Sequence, residues 1–248
     1  PAGQYTVYDG RMPDLEAIAQ SVAFCREIRA AVGDRADMLF GTHGQFTAAG
    51  ALRLARQLEP FDPLWFEEPC PPDMPEEMAK VAAGTSIPVA TGERLCSKFE
   101  FARVLDLGAA AILQPDLGRA GGILEGKKIA AMAETRYVQV APHLYCGPVA
   151  AAANIQLAAC IPNFLILESI GRMDGLHAEL LKTPLRWEDG YILPPTAPGL
   201  GVELNDDVVA AHPWQGHRLH LVMGDAPHDP RRHGPCAGGS YRRQVTAI

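Results

Sequence analysis

LWFEEPCPPDMPEEMAKVAAGTSIPVATGERL, residues 64–95, decides how this chain folds. Leu64-Trp65-Phe66 is a short, wholly apolar run that stops at Glu67-Glu68-Pro69. Pro75 to Ala83 then reads as a helix, and Pro88-Val89-Ala90 is a second apolar run that stops at Gly92-Glu93-Arg94. A strand that is apolar on both faces is buried on both faces, and a helix joining two such strands sets them parallel.

The same unit extends in both directions. Upstream, Leu15 to Ala31 carries Ile18, Val22, Cys25 and Ile28 at mostly helical spacing, and Gly33 closes that helix. Met38-Leu39-Phe40 follows, ending in Gly41-Thr42-His43-Gly44, before a helix from Thr47 to Leu58. Downstream, Lys98 to Leu107 is a helix, Ala111-Ile112-Leu113 a strand ending in Gln114-Pro115-Asp116, and Gly121 to Thr135 a helix. Val138-Gln139-Val140 ends in Pro142-His143, an Ala-rich helix spans Pro148 to Cys160, and Phe164 to Leu167 ends in Glu168. The sequence therefore predicts six short parallel strands covered by helices.

Two α/β folds take such units, an open doubly wound sheet and a closed (β/α) barrel. Each predicted strand finishes in a carboxylate, a histidine or a small polar residue. Barrels collect residues from many strand ends, whereas open sheets concentrate ligands at one switch point. No GxGxxG follows a strand, since Gly118, Gly121 and Gly122 have the wrong spacing. The expected fold is a TIM-type barrel represented mostly from its third strand onward.

Composition excludes several classes. The 248 residues are 48% apolar and 21% charged, enough for a sizeable core. Lys and Arg number 22 against 29 Asp and Glu, a net charge of −7, which argues against nucleic acid as a partner. No apolar run approaches the roughly 20 residues of a membrane helix, so no membrane partner is expected. The six cysteines form no CxxC pair and read as reduced thiols of a cytoplasmic protein. Cys96 and Cys146 lie near the polar strand ends without an adjacent base, and burial is expected for both. The opening PAGQYTVYDGRMP is loop-like. The closing HDPRRHGPCAGGSYRRQVTAI has no apolar period and is expected to be irregular; its His and Cys offer a metal site as the alternative to a low-complexity tail.

The strand ends also suggest a chemistry. Glu67 and Glu93 lie 26 positions apart, and two carboxylates converging on one mouth repel unless a cation lies between them or one takes a proton. Mg²⁺ is the expected ion, because it takes hard oxygen ligands from a few carboxylates, substrate and water. A third ligand is expected one stride earlier, but that position is Gly41. Asp116 and His143 follow from the next two strands, and a carboxylate on an imidazole fixes its tautomer and makes it a general base. Glu168 could hydrogen-bond a developing oxyanion if protonated or hold a substrate hydroxyl if ionised. His43, two positions beyond Gly41, would share that residue's face on a continuing strand.

The runs FEEP (Phe66 to Pro69), TGERL (Thr91 to Leu95), QPDLGRAGG (Gln114 to Gly122), APHLYCGP (Ala141 to Pro148) and FLILE (Phe164 to Glu168) resemble the enolase superfamily. Within it, the mandelate racemase/muconate lactonizing subgroup is the nearest, and especially its galactonate-dehydratase-like acid-sugar dehydratases. The likeness reaches about Leu204, giving residues 1–204 as the barrel domain and 205–248 as an extension, irregular from about residue 225. The resemblance implies Glu67 and Glu93 as Mg²⁺ ligands and His143 with Asp116 as the base or acid. It further implies Glu168 as a substrate or enolate contact, and His43 as the second acid–base residue that helps the leaving hydroxyl depart. Arg94 could bind a substrate carboxylate or form a salt bridge. A homo-oligomer acting on a small carboxylate, a sugar acid or hydroxy acid, is the implied assembly and substrate.

Two departures qualify the resemblance. The family's first metal ligand falls on Gly41, and His43, Thr42 or water could fill the gap; a histidine recruited as ligand would not serve as free acid. The capping domain and first barrel strands have no counterpart in this sequence. Three functions remain open: metal-assisted dehydration of a sugar acid, racemisation or epimerisation of an α-hydroxy acid, and a catalytically silent barrel. Trp187, Tyr191 and PPTAPGLGVEL resemble the family's post-barrel segment, with a structural role only.

Overall fold

Local signals start and stop the helices where the sequence places them. In the computed structural model, which describes residues 11–169 and 171–213, helix α1 (Leu15–Val32) opens on Asp14, whose side chain accepts from the Ala17 amide, and closes at Gly33 with φ 56°. Strand β1 (Leu39–Gly41) leads to α2 (Ala48–Leu58), capped by the Thr47 hydroxyl, which accepts from the Gly50 amide. Strand β2 (Trp65–Glu67), α3 (Pro75–Gly84), β3 (Val89–Thr91) and α4 (Lys98–Asp106) follow. Ser97 and Glu100 form a reciprocal capping box at the start of α4. Next come β4 (Ile112–Leu113), a one-turn helix α5 (Leu117–Ala120), α6 (Gly122–Glu134), β5 (Gln139–Val140) and α7 (Pro148–Ala158). Beyond them lie α8 (Leu176–Glu179), the hairpin of β6 (Trp187–Glu188) and β7 (Tyr191–Ile192), and α9 (Asp206–Ala211). The opening residues to Gly10, the tail from Trp214 and its Cys236 lie outside the described residues.

Strands β1 to β5 form one parallel sheet in sequence order. An order without reversal has no switch point, and helix-linked strands advancing in one direction are the sector of a barrel. The fold is thus the α/β barrel type that the strand ends predicted. Cross-unit contacts keep the stride of the sequence. Glu59 accepts from Thr85 and Glu68 from Arg94, each 26 positions away; Glu76 pairs with Arg103, Glu125 with Lys98 and Asp116 with His143, each 27 away.

Successive side chains on a strand leave on opposite faces. Phe66, Val89, Leu113 and Val140 pack outward into the large core beneath the helices. Trp65, Ala90, Ile112 and Ala141 pack together on the inner face. Glu67, two residues after Trp65, therefore also faces inward. No helix among the described residues is long and apolar enough to cross a membrane.

Three expectations need correction. The sixth strand is reduced to one bridge, Val140 to Phe164, with Val140 N–H donating to Asn163 O and Leu165 N–H to Val140 O, both at 2.8 Å. The next donor in that ladder would be Pro142, which has no N–H, so the pairing ends. The helix expected from Gly121 is preceded by α5, which the left-handed Gly121 (φ 99°) separates from α6. Cys96 is exposed and Cys146 only half-buried, because both lie on strand-to-helix loops.

Among the described residues Cys25 and Cys70 are the buried thiols, and burial pushes both up, Cys70 to about 11. A thiol reagent at neutral pH is expected to label Cys96 and the exposed Cys160 in the native protein and to reach Cys25 and Cys70 only after denaturation. Peptide mapping of the labelled protein checks this, and native labelling of Cys70 would contradict it.

Candidate active site at the strand ends

Three consecutive strand ends hold the carboxylates. Glu67 closes β2, with Gly41 beside it on β1 in register. The Trp65 indole N–H donates to Glu67 Oε2 at 3.0 Å, and Gln114 Nε2 donates to the same oxygen at 2.6 Å. With Oε2 so engaged, Oε1 remains for another partner. Glu93 follows β3 through Gly92, whose φ of 145° and close approach to the Gln114 backbone exclude a side chain: a Cβ there would stand 2.8 Å from Gln114 N. His43, Glu67 and Glu93 each present a ligand atom, all within 4.8 Å of one another, so this group could hold a divalent metal ion.

The imidazole of His143 lies against the same group. Its Nδ1 is 2.8 Å from Asp116 Oδ2. A carboxylate accepts, so Nδ1–H donates and Nε2 is left facing the mouth. That nitrogen is 3.5 Å from Glu93 Oε2 and 3.9 Å from Glu168 Oε2. The other oxygen of Asp116 accepts from the Gly118 and Arg119 amides and caps α5, which fixes the carboxylate from below. Glu168 Oε2 accepts from the Leu144 amide at 2.8 Å.

His43 arrives differently from the expectation. The strand ends at Gly41, and a turn with Gln45 N–H donating to Thr42 O carries His43 in the left-handed region, φ 48°. Thr42 is buried and its hydroxyl donates to Glu68 O at 2.9 Å.

Arg94, read from the sequence as a carboxylate binder or a salt bridge, donates through Nε to Glu68 Oε2 at 2.9 Å. Glu68 is fully buried, and its φ of 39° turns the chain out of β2. Burial pushes the Glu68 carboxyl up, and the Arg94 guanidinium opposes that less strongly. Glu68 Oε1 and Arg94 Nη2 are both buried without a partner, so the pair is incompletely satisfied. Glu68, Trp65 and Gln114 escaped sequence reasoning as parts of the site. The signals were present: Trp65 precedes Glu67 by one strand period, and Glu68 and Arg94 share the 26-residue stride of Glu67 and Glu93.

The enolase C-terminal domain-like family matches residues 7–208. This chain belongs to that family. The D-galactonate dehydratase of Ralstonia nicotianae is 44% identical over 206 residues, which span 81% of this chain and 54% of that protein. The D-xylonate dehydratase of Haloferax volcanii is 37% identical over 209 residues, spanning 84% of this chain and 50% of that protein. Among solved structures, a mandelate racemase/muconate lactonizing enzyme from a Sulfitobacter species is 60% identical, with a TM-score of 0.84 over 92% of this chain and 57% of that one. The chain spans about half the length of the curated relatives it matches.

Proposed function

We propose that the protein dehydrates a small sugar acid, abstracting the proton α to its carboxylate and expelling the β-hydroxyl. The observation that carries this reading is the set Glu67, Glu93, Asp116 and His143 at adjoining strand ends, with His143 Nε2 facing the carboxylates. The relatives named D-galactonate and D-xylonate dehydratase support elimination over racemisation.

The donor set fits a divalent cation, because one atom each of His43, Glu67 and Glu93 lies within 4.8 Å of the others. Mg²⁺ is the ion if the two carboxylates act with substrate and water alone. When bound, the ion would supply the positive charge that an enolised carboxylate needs. The protein's residues do the rest. Trp65 and Gln114 hold Glu67 by one oxygen. Asp116 keeps the His143 proton on Nδ1, so Nε2 is the atom free to take the substrate's α-proton. Glu168, held by the Leu144 amide, stands 3.9 Å from that nitrogen, where it would contact the substrate. Departure of the β-hydroxyl needs a proton, which His143 can return on the same face, or His43 can give only while its ring is not bound to the ion.

Full-length protein supplied with a divalent ion is expected to convert at least one aldonic acid of a broad library into a 2-keto-3-deoxy acid, read with a keto-acid reagent. No product across the library with metal shown to be bound would remove this reading. Solvent deuterium entering at the α-carbon without loss of water would replace it with the racemase.

A further inference from the structure

Gly41 leaves a ligand position empty of side chain although the space exists. A Cβ on Gly41 would stand 3.8 Å from Glu67 Oε1, an ordinary contact, so the backbone there leaves room for a side chain to begin. Thr42 is engaged with backbone oxygens. His43 is the remaining donor: exposed, next to the left-handed Gly44, and within 4.8 Å of oxygens of both glutamates. Beside them, Gln114 is only 6% exposed, and its Oε1 has no partner while its Nε2 fixes Glu67. The polar groups around Glu67 thus keep one buried oxygen, Gln114 Oε1, without a partner.

We infer that His43 is itself a metal ligand, taking the place of the carboxylate that Gly41 lacks, and that the site prefers Co²⁺ or Zn²⁺ to Mg²⁺. The inference rests on the proposed cation site at Glu67 and Glu93. Mg²⁺ is hard and dehydrates reluctantly, so it gains little from a nitrogen donor. Imidazole suits the later first-row ions, and a set of one imidazole and two carboxylates is a borderline donor set of their kind. A ring nitrogen bound to the ion has no proton to give there, so proton transfer to and from substrate falls to His143.

Spin-echo modulation from the full-length protein loaded with Mn²⁺ is expected to show a directly bound nitrogen. That signal, or Mn²⁺ binding itself, should be lost in His43→Ala and in His43→Gly, which relaxes the left-handed backbone and guards against a folding defect. It should persist in His143→Ala. By calorimetry, His43→Ala should weaken Co²⁺ by about tenfold or more while changing Mg²⁺ little, and Gly41→Asp should tighten Mg²⁺ by about tenfold. Mn²⁺ bound without nitrogen modulation, or modulation that survives both His43 variants, overturns the His43 assignment and leaves the cation site standing. Failure of the wild type to bind any of these ions at millimolar concentration overturns both.

Discussion

His143→Asn is expected to lower turnover of a sugar acid by about 10²–10⁴-fold, the usual contribution of a positioned general base. The structure fixes the tautomer of the His143 ring through the 2.8 Å contact of Nδ1 with Asp116, which leaves Nε2 as its base at the mouth. Asparagine keeps a donor toward Asp116 but offers no base. Asp116→Asn is expected to cost a comparable factor by a different route: an amide donating to Nδ1 would move the ring proton to Nε2 and occupy the lone pair. Asparagine caps helices as well as aspartate does, so α5 should survive the change and the loss should be one of proton transfer. Deuterium exchange at the substrate's α-carbon checks both, since each variant should lose exchange and product together. Retention of more than a tenth of wild-type turnover in His143→Asn would place the base elsewhere.

The second large effect is on stability. Glu68→Ala is expected to destabilise the protein by about 2–4 kcal/mol, less than the roughly 3–5 kcal/mol for breaking a fully buried ion pair, because the Arg94 side chain is 27% exposed and can partly rehydrate. For a chain of this size that corresponds to a melting temperature lower by roughly 5–15 °C. Arg94→Ala should cost less in the Glu68→Ala background than in the wild type, as expected of partners in one interaction. A stable Arg94→Ala with a sharply raised KM would instead return Arg94 to the role of carboxylate binder.

The pair also has a pH signature. Burial raises the Glu68 carboxyl above its ordinary value in spite of Arg94, so the folded protein holds that proton more tightly than the unfolded chain. By linkage, the stability associated with that proton is fully present below the ordinary carboxylate range and is lost as the pH rises through the raised value. Denaturation curves across that window should show the decline in the wild type, and Glu68→Gln should remove this component of the slope.

Much of the molecule was legible from residues alone, for local reasons. Asp14, Thr47, Ser97 and Gly33 mark helix ends through contacts within a few positions. Buried parallel strands need continuous apolar runs, so β1 to β5 announced themselves. The stride of Glu67 and Glu93 and the register of Asp116 with His143 are repeats of the strand–helix unit, and a repeat survives being written in one dimension.

What tertiary structure decided were quantities that depend on which atoms meet across units. Pro142 stops a ladder only because its missing N–H falls at the place where the Phe164 segment would need it. His43 reaches the two glutamates by a left-handed turn and not by strand alternation. Arg94 turns beneath the mouth because Glu68 is buried there, a placement that no periodicity encodes. Sequence thus determined the order of the strands and the residue types at their ends, through short-range sterics and apolar spacing. The closing distances between those ends, and with them which donors come within reach of one another, arise only when long-range packing sets one strand against the next.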